Sequence, residues 1–246
     1  GYATVRLNGR YLGLYALIES MDDDFIDRQW PDSEGGLWEM TRDCDFTSDC
    51  ECFSLQATGS SYVEGAISQG CEAMRAGTIP AIQEAFDWDA LVAFLTVELA
   101  VNHPDSYSFN LNNFFVYHEP VEDLLYLSPW GADSTFTYLH PPSAPNPDCQ
   151  PLYLDVLSDA SVGWLMNFCL SDATCSAALR TKMQTVADWM EASALAERMR
   201  DTSEMLEPYA ALETEVNWTM ADRAARVDCF IEWTSQRPDV LRAWGG

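Results

Sequence analysis

Two short stretches of this 246-residue chain put oxygen-bearing side chains at spacings that suit phosphate and metal chemistry. In the first, Asp105-Ser-Tyr-Ser-Phe-Asn110, an acid is followed five positions later by an amide. In the second, Pro129-Trp-Gly-Ala-Asp133, an acid follows a Pro-Trp pair. Phosphoryl transfer asks little covalent chemistry of a protein. It needs a carboxylate to orient the attacking hydroxyl, and oxygen ligands to hold magnesium on the phosphates. Asp105 suits the first task; Asn110 and Asp133 suit the second. Asp and Asn are ordinary loop residues, so the spacing gains meaning only if the chain brings the two stretches together.

The elements around them are arranged to do so. Asp87-Trp88-Asp89 caps a predicted helix over Ala90–Val101, whose apolar side carries Leu91, Phe94, Leu95, Leu99 and Val101. Glu98 falls on that same side and must find a partner, for which an arginine is expected, or face a cleft. Asn102-His103-Pro104-Asp105 stops the helix, with His103 read as a capping or solvent-facing residue. Asn113–Tyr117 and Leu124–Ser128 follow as short strands joined by the polar turn 118–123, where His118 has no predicted role. The order is therefore helix, Asp-bearing loop, strand, turn, strand, Asp-bearing loop. Asn112 and Asn113 are read as holding the strand start, and Trp130 as a core aromatic beside Phe136.

Upstream, residues 2–19 alternate around Asn8-Gly9, a strong hairpin signal because both turn positions want positive φ. An acid-rich cap then leads into a helix carrying Phe25, Ile26 and Trp30, and Gly36–Thr41 returns as a strand. Residues 42–60 are acidic, aperiodic and Cys-bearing, and are expected to form a stapled loop. Helical spacing resumes at Tyr62–Arg75. The stretch 129–151 is Pro-rich and loop-like, and 152–246 reads as helices ending with Ala221–Ala243.

Composition narrows the function classes. Hydrophobic residues make up 48%, enough for a substantial core. The balance of 39 acidic against 13 basic residues, net −26, opposes nucleic acid and anionic membranes and favours basic partners or cations. No apolar run is long enough to span a membrane. The start, Gly-Tyr-Ala-Thr-Val, lies mid-strand by its pattern and suggests a processed protein or an excised domain. Eight cysteines favour disulfides in an oxidising compartment, with Cys169 and Cys175 as the expected local pair. Cys44-x5-Cys50-x-Cys52 lacks the paired spacing of a zinc site. Asn217-Trp-Thr219 fits a glycosylation sequon.

The string Asn112-Asn-Phe-Phe-Val-Tyr117, a turn, then Pro129-Trp-Gly-Ala-Asp-Ser-Thr-Phe136 resembles the CotH kinase family, which shows N-N-Y-Y-L-Y and then P-W-D-x-D-x-x-F. The front hairpin Asn8-Gly-Arg-Tyr-Leu-Gly-Leu-Tyr15 with Glu19 is similar to that family's N-G-E-Y-x-G-x-Y and following acid, and Val227–Arg237 is similar to its closing helix. The resemblance implies an α+β, protein-kinase-like two-lobed fold. Residues 1–41 would be a remnant of a partly missing N-terminal lobe, 42–60 a Cys-bearing loop, and 61–246 a mostly helical C-terminal lobe. It implies an extracellular or cell-surface protein serine/threonine kinase using ATP with Mg2+ or Mn2+ on a basic Ser/Thr-containing protein. Asp105 would be the catalytic base, Asn110 and Asp133 the metal ligands, and Glu19 and Arg42 contacts to the nucleotide.

Two departures support a second expectation, a catalytically impaired kinase-fold surface, adhesion or spore-coat protein. Gly131 stands where the family has the first acid of P-W-D-x-D, and Glu39 where its G-x-L-Y-K strand has a lysine. A glycan hydrolase would need an opposed pair of acids, and none is recognisable.

Overall fold

The structure is a computed structural model and describes residues 1–40, 43–47, 50–136, 156, 159, 161–213, 216 and 218–246. Strands β1 (Tyr2–Leu7) and β2 (Arg10–Ala16) form a two-stranded antiparallel sheet. Asn8 and Gly9 at its tip take φ of 51° and 85°, the conformation that Asn-Gly favours. Helix α1 (Asp23–Gln29) begins where Asp22 accepts from the Phe25 N–H.

A second sheet, in the order β4-β3-β5-β6, is built from β3 (Gly36–Met40), β4 (Phe53–Thr58), β5 (Phe114–Glu119) and β6 (Leu124–Pro129), all antiparallel. Every residue of β5 is buried, so this strand runs through the interior. The boundary expected at residue 41 meets a continuous sheet, because β3 is bonded both to β4 and to β5. The stretch 42–60, expected as a loop, contains a strand. Its second half is strand β4, whose Phe53 packs on Phe46 and Phe114. Ser54, Leu55 and Gln56 are exposed, so β4 is a half-buried strand at the edge of the sheet.

Helices α2 (Ser68–Ala76), α3 (Ile79–Ala85) and α4 (Trp88–Ala100) follow. The Thr78 cap with Pro80 in the first turn explains α3, which patterning had passed over. Helix α4 is buried on most of its circumference and packs against β6 and α7 (Ala173–Ala192), which in turn packs on α9 (Met220–Gly245). Thr219 and Asp222 close a capping box at the start of α9. Between them lie α5 (Tyr107–Asn110), a single turn, α6 (Trp164–Ser171) and α8 (Leu195–Ala210), against which β2 lies.

The cysteines are oxidised: Cys44 bonds Cys52, Cys50 bonds Cys71, and Cys169 bonds Cys175 as expected. Cys229 is also disulfide-bonded, and among the described residues no cysteine is free. Among the described residues no helix is long and apolar enough to cross a membrane. Asn217 of the sequon lies outside the described residues.

Candidate active site

The β5–β6 hairpin brings the two chemically interesting stretches together. Phe114 pairs with Pro129 at its open end, and the Trp130 N–H donates to the Asn113 carbonyl at 2.8 Å. The residues just before β5 and just after β6 therefore lie side by side. His103 adds a second tie, its Nε2 being 3.2 Å from the Gly131 carbonyl. A third joins the Phe136 N–H to the Val101 carbonyl at 2.8 Å.

Asp105 is the centre of the first stretch. Its Oδ1 accepts from the amides of Asn110 at 2.6 Å and Asn112 at 3.1 Å, and its Oδ2 from Asn113 at 2.8 Å. Asn113 also donates to the Asp105 carbonyl at 2.8 Å. Partial burial disfavours the charge, but the three amide donors outweigh it and hold Asp105 below the usual carboxylate range. It is an ionised acceptor at neutral pH, able to orient a hydroxyl and to take up its proton as the new P–O bond forms. A loose phosphoryl-transfer transition state requires little more than that orientation.

Because each asparagine turns its NH2 toward Asp105, each amide oxygen is directed elsewhere. Asn110 thus offers an oxygen to a hard cation. Asp133, on a single 3-10 turn (Ala132–Ser134), is exposed. It and Asp105 both lie near enough to His103 to favour its charged form, although burial is the larger effect and pushes the imidazole pKa down. A neutral ring facing a carbonyl carries its hydrogen on Nε2, so His103 donates to Gly131. The capping role expected for it becomes a loop-to-loop tie.

Among the described residues no group of three or more acidic, His or Cys side chains is placed to hold a metal ion. One amide oxygen and one or two carboxylates match a magnesium that arrives on nucleotide phosphates and keeps waters, rather than a resident ion. Glu19 forms an ion pair with Arg28 of α1. Arg42 lies outside the described residues, and Glu39 is exposed on β3.

The backbone around the site is held in uncommon conformations. Asn102, Leu111, Asn113 and Phe136 all take positive φ, between 44° and 65°. Leu111 is the left-handed cap of α5, its N–H donating to the Tyr107 carbonyl at 3.3 Å, a position a Leu occupies only at a steric cost. Gly131 is also left-handed, at φ 54°. A Cβ there would stand 2.6 Å from the Asn113 Oδ1, so the missing acid leaves a gap that Asn113 fills. Gly131→Ala is expected to cost about 1–3 kcal/mol, from the left-handed backbone plus displacement of Asn113. Its urea-unfolding midpoint should fall accordingly; an unchanged midpoint would show that Asn113 moves freely.

Glu98 departs from its expected arginine partner. Its Oε2 accepts from the Ser108 N–H at 3.1 Å and from the Ser108 hydroxyl, fixing the turn that carries Asn110. Complete burial raises its pKa from 4.5 to about 8, against the Ser108 bonds that lower it. Oε1 and the nearby Ser106 hydroxyl have no close hydrogen-bond partner among the described residues, although Ser106 and the Tyr107 N–H lie near enough to favour the ionised carboxylate slightly. A protonated Glu98 is the state this pocket accommodates. Between pH 4.5 and about 8 the folded chain holds a proton that the unfolded chain releases, so stability falls as pH rises through that window. At about 1.4 kcal/mol per pKa unit, the full excursion amounts to several kcal/mol. Glu98→Gln mimics the protonated acid. It should match the wild type at pH 5 and exceed its thermal midpoint at pH 8; parallel pH curves would refute the assignment.

Two supports went unnoticed in the sequence. Asp45, between the cysteines of the stapled segment, accepts from the Tyr107 hydroxyl at 3.0 Å and the Trp164 N–H at 2.8 Å. Arg237 of α9 is fully buried and donates to the carbonyls of Leu99 and Ala100. Trp130 packs edge-on to Phe115, whereas Phe136 packs on Phe230 and Trp233 of α9, so the expected Trp130–Phe136 pairing is replaced by two separate anchors.

Residues 1–241 match the family described as CotH kinase protein, nearly the whole chain. The chain belongs to the CotH kinase family. Membership implies a kinase-like fold and suggests an atypical kinase or a spore-coat protein. No curated protein matches this CotH-family sequence.

Proposed function

We propose that this CotH-family chain is an exported phosphotransferase that moves the terminal phosphoryl group of ATP, carried with Mg2+ or Mn2+, to Ser or Thr of a basic protein. The observation that carries the proposal is the Asp105 carboxylate, held ionised by three amides at the hairpin end that also carries Asp133. Asp105 orients the substrate hydroxyl and receives its proton. Asn110 and Asp133 would hold the metal, which when bound neutralises charge on the phosphates. The acidic surface, net −26, attracts a basic substrate segment and speeds its encounter.

The kinase-like two-lobed arrangement is part of this proposal. Residues 1–41 contribute to the smaller lobe and the helices beyond residue 61 to the larger one, with the β3–β5 pairing as their join. Disulfides at Cys44–Cys52, Cys50–Cys71 and Cys169–Cys175 support an extracellular or surface location.

A second reading, a kinase-fold surface or coat protein without transfer activity, is favoured by Gly131 and by exposed Glu39 on β3. Label transfer from ATP to a basic Ser-containing protein, with magnesium or manganese, separates the two. Transfer by the wild type that Asp105→Asn abolishes supports the enzyme. Equal transfer by both, or none by either at any metal concentration, overturns it.

A further inference from the structure

Away from the Asp105 site, α8 and α9 run beside each other without closing. Of the α8 residues only Ala210 is fully buried, although the helix has a clear apolar stripe. Between the helices lies an open cleft of about 350 Å³, at the small end of ligand-sized cavities. Its apolar walls are Leu195, Met199 and Leu206 from α8, and Val227 and Phe230 from α9, with Tyr2 of β1 at one side. Spacings of four and seven residues along α8, and of three along α9, place these walls on facing stripes.

Two guanidinium groups, Arg198 and Arg223, also line the cleft. Both belong to a chain with three acids for every base. Several cations lie against acids or carbonyls: Arg28 on Glu19, Lys182 on Asp89, Arg242 on Asp188 and Glu191, Arg237 on the end of α4. Neither Arg198 nor Arg223 has a carboxylate partner among the described residues. Arg223 is oriented by one nitrogen alone, Nη2, which donates to the Ser203 carbonyl at 2.8 Å and its hydroxyl at 2.9 Å. Its Nε and Nη1 remain free to donate. Thr202 adds a hydroxyl to the same wall.

We infer that this cleft binds an apolar molecule ending in one carboxylate, a free medium-chain fatty acid, with Arg198 and Arg223 holding the headgroup. Planar guanidinium forks match a carboxylate in two-point contact, and the mostly apolar walls match a hydrocarbon tail. Repulsion from the chain's overall charge is screened within about 8 Å at physiological salt, so the two local cations decide the outcome.

Calorimetric titration with decanoate, and with decanol as the uncharged analogue, tests this. Decanoate should bind at least about tenfold more tightly than decanol. Arg198→Ala, whose side chain is exposed and unpartnered, should weaken decanoate about tenfold while leaving decanol unchanged. Val227→Trp, which fills the cleft, should remove binding of both. Thermal melts of each variant establish that it is folded, and Arg198→Ala keeps the test valid if Val227→Trp does not fold. Absence of decanoate binding by the folded wild type, equal affinity for decanol, or an Arg198→Ala affinity within twofold of wild type would each overturn the inference.

Discussion

Asp105→Asn is expected to lower phosphoryl transfer by about 100-fold to 10,000-fold, the range for removing a group that handles the proton in a transition state. The substitution keeps the size of the side chain and changes its chemistry. A carboxylate that accepts from three amides becomes an amide whose own NH2 must face one of them. At least one charge-assisted bond becomes a donor–donor contact, so a stability loss of about 1–3 kcal/mol accompanies the loss of activity. The two effects need separating. Asn112→Ala removes the longest of the three bonds, at 3.1 Å, while leaving both the carboxylate and Asn110 in place. It should reduce stability by about 1 kcal/mol and transfer by less than tenfold. Label transfer and urea midpoints measured on both variants distinguish the cases. If the two variants lose activity in proportion to their stability, Asp105 holds the loop and does no chemistry.

Pattern and spacing carried further for the elements than for their support. The β5–β6 hairpin, α4 and α9 announce themselves through local signals: apolar periodicity, Asp87 before Trp88, and a polar turn between two apolar runs. Asp105, Asn110 and Asp133 follow from their places relative to those elements. Asn112 and Asn113 could be seen as flanking the strand, but not as donors to Asp105. Their NH2 groups reach it only because Leu111 and Asn113 adopt left-handed backbone, a conformation nothing in a Leu forecasts. Glu98 stands out by its place on an apolar stripe, but its partner does not follow from the sequence: Ser108 supplies the hydrogen bonds expected of an arginine. Asp45 lies among acids and cysteines where composition suggests solvent. The Cys44–Cys52 and Cys50–Cys71 bonds turn that segment inward, and only long-range pairing decides this.

Arg237→Ala is expected to be the most destabilising of these substitutions, by about 4 kcal/mol or more. The last turn of a helix leaves its carbonyls without intrahelical donors, and at α4 these ends are deep in the protein. Arg237, more than 130 residues away in sequence, serves them. Its Nε donates to the Ala100 carbonyl at 2.7 Å, and its Nη2 to the Leu99 carbonyl and the Asn102 Oδ1, both at 2.8 Å. The guanidinium also lies 4.8 Å from the centre of the Trp233 ring, which packs on Phe136 beside the Asp133 turn. A positive charge at the negative end of a buried helix is favourable in its own right. Alanine leaves three acceptors without this donor and opens a cavity where the side chain packed. The thermal midpoint should fall by about 8 to 16 °C for a chain of this size. Lysine restores the charge but has one nitrogen where three positions must be reached, so Arg237→Lys should recover less than half of the loss. The damage should also be local. Amide exchange at 101–105, the segment leading into Asp105, should accelerate more than exchange in α7, which Arg237 does not cap. Uniform acceleration across both would assign Arg237 to global stability alone and remove it from the support of the site.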